Sequence, residues 1–211
     1  MARAFIVVLV FALVGVASAD SWLPPAPITA VSRSAVYRLT VYPRQITGPL
    51  EYFTDEEDGK APAGQRPGAR AQCEATLEKL GPQSYDVVWR KPLVNDVAPL
   101  SALVADDGRF VTFDNWHRAG FGPDAIVIYR ADGTVVKKLG VADVVGEEAF
   151  QKLPRSVSSV WWGGEHTLGY HDGMTVDLQV VSSGRLHDNP TFHTIPVDLA
   201  TGRVLPAQTT Q

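Results

Sequence analysis

The chain is 211 residues long, 45% hydrophobic and 20% charged, with a formal net charge of −4. That mixture is globular, too apolar for a disordered chain and too mixed for a membrane protein, and its acidic balance argues against a nucleic-acid binder, which needs a basic face. A single cysteine, Cys73, excludes an intramolecular disulfide framework and any multi-cysteine zinc or iron–sulfur site.

Residues 1–19 read as a secretory signal peptide. Arg3 supplies the positive start, Ala4 to Val16 an uncharged run of 13 residues, and Ala17-Ser18-Ala19 the small residues of a cleavage site, so the expected mature chain begins at Asp20. The run is too short to cross about 30 Å of hydrocarbon, which takes about 20 helical residues. No second such run follows, so the expected product is secreted or periplasmic and does not span the membrane. The remainder is sized for one domain.

Residues 20–34 form a proline-rich lead-in, with Leu23-Pro24-Pro25-Ala26-Pro27 at its centre. Proline lacks a backbone donor, so this stretch is expected to be extended and to lie along the surface, with Trp22 as a possible anchor. A single β-rich domain is expected over 35–211. In Ala35 to Pro43, Tyr37, Leu39 and Val41 alternate with Arg38 and Thr40, the pattern of a half-buried strand. Residues 48–70 carry the acidic run Asp55-Glu56-Glu57-Asp58 and a Gly/Pro/Ala-rich piece, and read as a long mobile loop. The alternating spacing of a calcium loop is missing there. Ala71 to Leu80 fits a strand or a helix; the neighbouring strands favour the strand, and either buries Cys73. Tyr85 to Arg90 reads as another strand.

From Pro99 onward a unit of strand, tight turn and strand recurs, with turns at Asp107-Gly108, Asp132-Gly133, Asp172-Gly173 and Thr201-Gly202. Asp-Gly between β-prone runs is a strong hairpin signal. Ala125 to Tyr129 is apolar on both faces and reads as a central, fully covered strand. In Met174 to Val181 the even-numbered apolar positions face inward. The one clear helix runs from Val141 to Leu153 and stops at Pro154. The expected fold is all-β, mainly an antiparallel meander, partly propeller-like or sandwich-like, with one short helix.

The segment ALVADDGRFVTFDNWHRAGFGPDAIVIYRADG, followed by LPRSVSSVWWGGEH, resembles a class of uncharacterised secreted bacterial proteins with β-propeller-like hairpin repeats. The resemblance covers roughly Pro99 to Leu205. It implies architecture and supplies no catalytic residue. A propeller blade takes about 40 residues, so the chain has room for few blades, and the turn glycines are unevenly spaced.

Chemistry-bearing motifs are sparse. There is no G-x-S-x-G elbow, no S-x-x-K, no H-E-x-x-H and no phosphate loop. Gly120-Phe121-Gly122 precedes a strand, so it does not open a phosphate-binding helix. Asp114, Asn115 and His117 cluster at a strand end, where they could polarise a substrate, or where Asp114 and Asn115 simply cap a turn. His193 shares parity with Ile195, Val197 and Leu199 and reads as a satisfied core histidine. Trp161 and Trp162 point to opposite faces of any strand. Trp162, beside Gly163-Gly164, is the better candidate for stacking on a flat ligand, the alternative being a tryptophan that packs between blades.

The candidate site is therefore Asp114, Asn115, His117 and Trp162, with no metal and no cofactor expected. Three readings follow. The first is a secreted β-rich binding or scaffold protein, its partner an envelope polysaccharide or a protein. The second is an exported hydrolase or metal-dependent enzyme centred on Asp114, Asn115 and His117. The third is an accessory subunit of an envelope complex.

Overall fold

The computed structural model describes residues 23–170, 173–183 and 190–206. The expected signal peptide and Trp22 lie outside the described residues. Among the described residues, eleven strands and three short helices follow in chain order. Strands β1 (Ile28–Val31), β2 (Tyr37–Tyr42), β3 (Glu74–Leu80) and β4 (Tyr85–Pro92) pair in sequence into one antiparallel sheet. Strands β5 (Ser101–Val104), β6 (Phe110–Phe113), β7 (Ile126–Tyr129) and β8 (Val135–Leu139) form a second. Strands β9 (Thr167–Tyr170), β10 (Met174–Ser183) and β11 (Thr191–Asp198) form a third, with β10 in the middle. The fold is thus mostly β, in three antiparallel meanders that close no barrel.

Hairpin chemistry sets the local pairing. The β5–β6 and β7–β8 hairpins turn at Gly108 and Gly133, both at positive φ, as the Asp-Gly pairs require. Within Ala71 to Leu80, Glu74 to Leu80 is strand: β3 pairs Leu77 with Leu39 of β2 and buries Ala75 and Leu77, and Cys73, just before it, is buried with them.

The second sheet is the centre of the molecule. Every residue of β7 is buried, as its two-sided apolar run predicts, and so is every residue of β6. On one face, Phe110, Val127 and Tyr129 pack with Leu39, Val41, Ala75 and Leu77 of the first sheet. On the other, Val111, Phe113, Ile126 and Ile128 pack with Val176, Leu178 and Val180 of β10. The period-two alternation of β7 therefore divides its side chains between two cores.

Two expectations need correction. The expected loop over 48–70 contains a helix, α1 (Pro49–Glu57), with Pro49 in its first turn and Tyr52 buried. Proline suits that position because its fixed φ is helical and its missing N–H has no intrahelical partner there. The single helix expected over Val141 to Leu153 is two, α2 (Val141–Val145) and α3 (Glu147–Lys152). Gly146, at φ 85° and ψ 150°, breaks it, since those angles interrupt the helical hydrogen-bond ladder.

Candidate functional site

The residues around His117 come from four separate parts of the chain. Helix α1 contributes Tyr52 and Glu56, four apart and so on one helical face, with Phe53 beside them. The segment after β4 contributes Asp96. The segment after β6 contributes His117, Arg118 and Phe121, and Arg44 follows β2. Tyr52 Oη lies 2.9 Å from Asp96 Oδ2 and 3.1 Å from His117 Nε2. A phenol has one proton. Donated to the Asp96 carboxylate, it leaves the Tyr52 oxygen as acceptor, so His117 carries its proton on Nε2. His117 Nδ1 is then a bare acceptor, buried and without a hydrogen-bond partner.

Arg44 anchors this array from behind. Its guanidinium is 1% exposed and donates to Asp96 Oδ2 at 3.0 Å, to the Asp96 carbonyl at 3.2 Å and to the Ala63 carbonyl at 2.8 Å. A buried cation held by so many acceptors is costly to unpair, which fixes the position of Asp96. On the solvent side, Glu56 Oε1 accepts from Arg118 at 2.9 Å and stands 3.6 Å from His117 Nε2.

Electrostatics keep the array neutral at its heart. Burial, reinforced by the Asp96 charge, pushes the Tyr52 phenol well above its usual range. Burial holds His117 below the ordinary imidazole value, against the opposing pull of Glu56. Neither group is a ready nucleophile or cation at neutral pH; their hydrogen bonds lock α1 against the segment after β6. In front of them opens a cleft of about 480 Å³ lined by Phe53, Glu56, His117, Arg118, Phe121 and Val157. Val157 is fully exposed at its rim.

The four residues singled out from sequence do not form one site. Asp114 sits at φ 58° and its Oδ1 accepts the Gly120 N–H at 2.6 Å and the Trp162 indole N–H at 3.0 Å. Burial raises its carboxyl above the usual carboxylate range, and those two donors oppose the rise. Asn115 donates to Asp124 Oδ1 at 3.1 Å and accepts from Asn95 Nδ2 at 2.7 Å, pinning its loop. Of the four, His117 alone lines the cleft, while Asn115 and His117 together line an adjoining pocket of about 310 Å³ with Tyr52, Glu56 and Asp96. The expectation of an uncovered Trp162 is corrected: the residue is 2% exposed, and the His166 ring stacks on it at 4.6 Å. The reason is the glycine beside it. A Cβ on Gly163 would stand 2.6 Å from His166 Cε1, so that glycine admits the covering ring.

His193 is also corrected. It lies on the exposed part of β11 and its Nδ1 is 2.8 Å from Ser182 Oγ. His171 and His187 lie outside the described residues.

Sequence reasoning missed Arg44, Tyr52, Glu56 and Asp96. Glu56 stands within the acidic run, and Tyr52 four residues before it marks a helical face; Arg44 and Asp96 belong to no motif. Among the described residues, no three His, Cys, Asp or Glu side chains are grouped to hold a metal ion. Likewise, none of the described helices is long and apolar enough to cross a membrane. Comparison with protein-family profiles, with curated proteins and with solved structures gives no match to this chain.

Proposed function

We propose that this chain is an exported, β-rich binding module whose ligand site is the cleft in front of His117. The observation that carries this reading is the make-up of the cleft: apolar Phe53, Phe121 and Val157 beside the Glu56–Arg118 ion pair. Exposed apolar surface with a few fixed polar groups is what small-ligand and peptide sites are made of. The Arg44–Asp96–Tyr52–His117 array behind it supports binding more than turnover, because it holds the walls rigid and commits its own donors internally. Export is supported by the n-region, apolar run and Ala17-Ser18-Ala19 of the leading segment.

The ligand class is an envelope polysaccharide or a protein segment, either able to lay a flat or apolar face on Phe121 while bonding to Arg118. Titration calorimetry of the mature chain against envelope polysaccharide fragments and a peptide panel tests this. Phe121→Ala is expected to weaken binding roughly tenfold, from a lost ring contact of order 1 kcal/mol, and, because the ring is half-buried against the core, to lower the melting temperature by a few degrees with the fold retained. Unchanged affinity in both Phe121→Ala and Arg118→Ala sinks the cleft as the site.

The placement of the His117 imidazole in the cleft lining favours one second reading, an exported hydrolase with His117 as base. A hydrolytic rate in the wild type that vanishes in a folded His117→Gln variant would replace the binding reading with that one.

A further inference from the structure

The apolar inner face of the third sheet ends in an open pocket. Val180 of β10 lies across from His193 of β11, and cross-strand partners share a face. His193 is therefore on the face that carries Ile195 and Val197 into the core, but it stands beyond the core and is exposed. A cavity of about 420 Å³ opens there, between α3 and the end of the sheet. Its apolar wall is Val145, Ala149, Leu153, Pro154, Val180 and Val181. Its polar groups are Lys152, Ser182 and His193, and among the described residues that line it none is acidic. Strands β10 and β11 change register between Val181 and Ser183, which leaves Ser182 with no partner across the pair and bends the strand there. Ser182 Oγ then stands 2.8 Å from His193 Nδ1.

We propose that this pocket binds a free medium-chain carboxylate, its chain against the valines and Leu153 and its head at Lys152, Ser182 and His193. The polar groups decide the head. Whichever of Ser182 and His193 donates to the other, one further donor is left: His193 Nε2–H when the serine donates, the Ser182 hydroxyl when the histidine does. Lys152 adds an ammonium with three protons, of which Glu148 takes one at 2.6 Å. That ion pair is exposed at both ends, so it contributes little and yields readily to a second carboxylate. Donors on one side of an apolar cavity call for an acceptor, and an ionised carboxylate is acceptor-only. A cationic head meets the Lys152 charge, and a neutral hydroxyl leaves that charge unmatched. The volume decides the chain. It falls at the low end of the range of about 300–1,000 Å³ that small-ligand sites span, which suits a short acyl chain. The pocket shares no lining residue with the His117 cleft and stands even where that cleft binds nothing.

The test is titration calorimetry of the full mature chain with octanoate, butanoate, octylammonium and 1-octanol, each kept below its aggregation limit. Octanoate is expected to bind at least tenfold more tightly than butanoate, because each buried methylene contributes a factor of about four. It is also expected to bind at least tenfold more tightly than octylammonium or octanol, which carry the same chain on the wrong head. Two variants then place the site. Ala149→Trp fills the cavity from an exposed helical position and is expected to lower octanoate affinity at least tenfold. Lys152→Gln is expected to lower it about tenfold while leaving octanol unaffected. The comparison of heads and chains needs only the wild type, so it holds whether or not a variant folds. No binding of octanoate, or equal binding of octylammonium, overturns the proposal. Undiminished octanoate affinity in a folded Ala149→Trp variant also overturns it, because the ligand is then held elsewhere.

Discussion

His166 lies between two aromatic rings, Trp162 at 4.6 Å and Phe113 at 4.6 Å, and its Nδ1 accepts the Gln179 N–H at 3.2 Å. Burial lowers its pKa from 6.5 to about 4. The unfolded chain takes up a proton near pH 6.5, whereas the folded chain refuses one until about pH 4, so stability is full above 6.5 and is lost as pH falls toward 4. Between pH 7 and pH 5 this group removes about 2 kcal/mol. His166→Asn keeps an acceptor for the Gln179 N–H and removes the titration. Urea melts at the two pH values are expected to show a smaller loss in that variant than in the wild type; an equal loss assigns the effect elsewhere. His117 is shifted in the same direction, so some pH dependence remains in the variant. At this scale, the sequence made His117 legible because it follows a strand among polar neighbours. Its partner Tyr52 was not legible, because 65 positions separate the two and no local spacing joins them. Trp162 was misread for a related reason. Gly163 and Gly164 suggest an open face from sequence, but in the fold they are where the His166 and Phe192 rings approach.

Between α2 and α3, the break at Gly146 reverses what helix propensity alone predicts. On propensity, Gly146→Ala within a continuous helix over Val141 to Leu153 stabilises by about 1 kcal/mol. In the fold, Gly146 has φ 85° and ψ 150°, a region almost reserved for glycine, although nothing lies within 4 Å of the added Cβ. The space is open and the backbone is not. Gly146→Ala is therefore expected to destabilise by about 1–3 kcal/mol, read as a lower urea midpoint with an unchanged slope. A raised midpoint would mean that the two helices merge into one. Helix α1 shows the opposite failure of sequence reading. Pro49 at its start and Gly59 at φ 69° just past its end are ordinary boundary signals. The acidic run hid them, because Asp55 to Asp58 looks solvated, while Glu56 in fact reaches Arg118 and His117. The strands were easier to read because their period of two needs only a few residues to declare itself.

Across the whole molecule, the second sheet couples the other two. Strand β7 sends Val127 and Tyr129 toward the first sheet and Ile126 and Ile128 toward the third. The sequence foretold that burial, since Ala125 to Tyr129 is apolar at every position, but which sheet lies on which side depends on long-range packing that no local pattern encodes. With no layer of its own between them, neither core can be lost without exposing one face of β6 and β7. Unfolding is therefore expected to be a single transition. Leu39→Ala empties part of the core shared with the first sheet, and Ile128→Ala part of the core shared with the third. Each cavity costs about 2–5 kcal/mol and lowers the melting midpoint by roughly 5–15 °C. The decisive reading is shape rather than size. Calorimetry of either variant should show one endotherm moved as a whole, with the calorimetric enthalpy equal to the van't Hoff value. If Leu39→Ala instead splits the endotherm and moves only the earlier part, the first sheet is an independent unit and the central sheet does not transmit stability across the molecule.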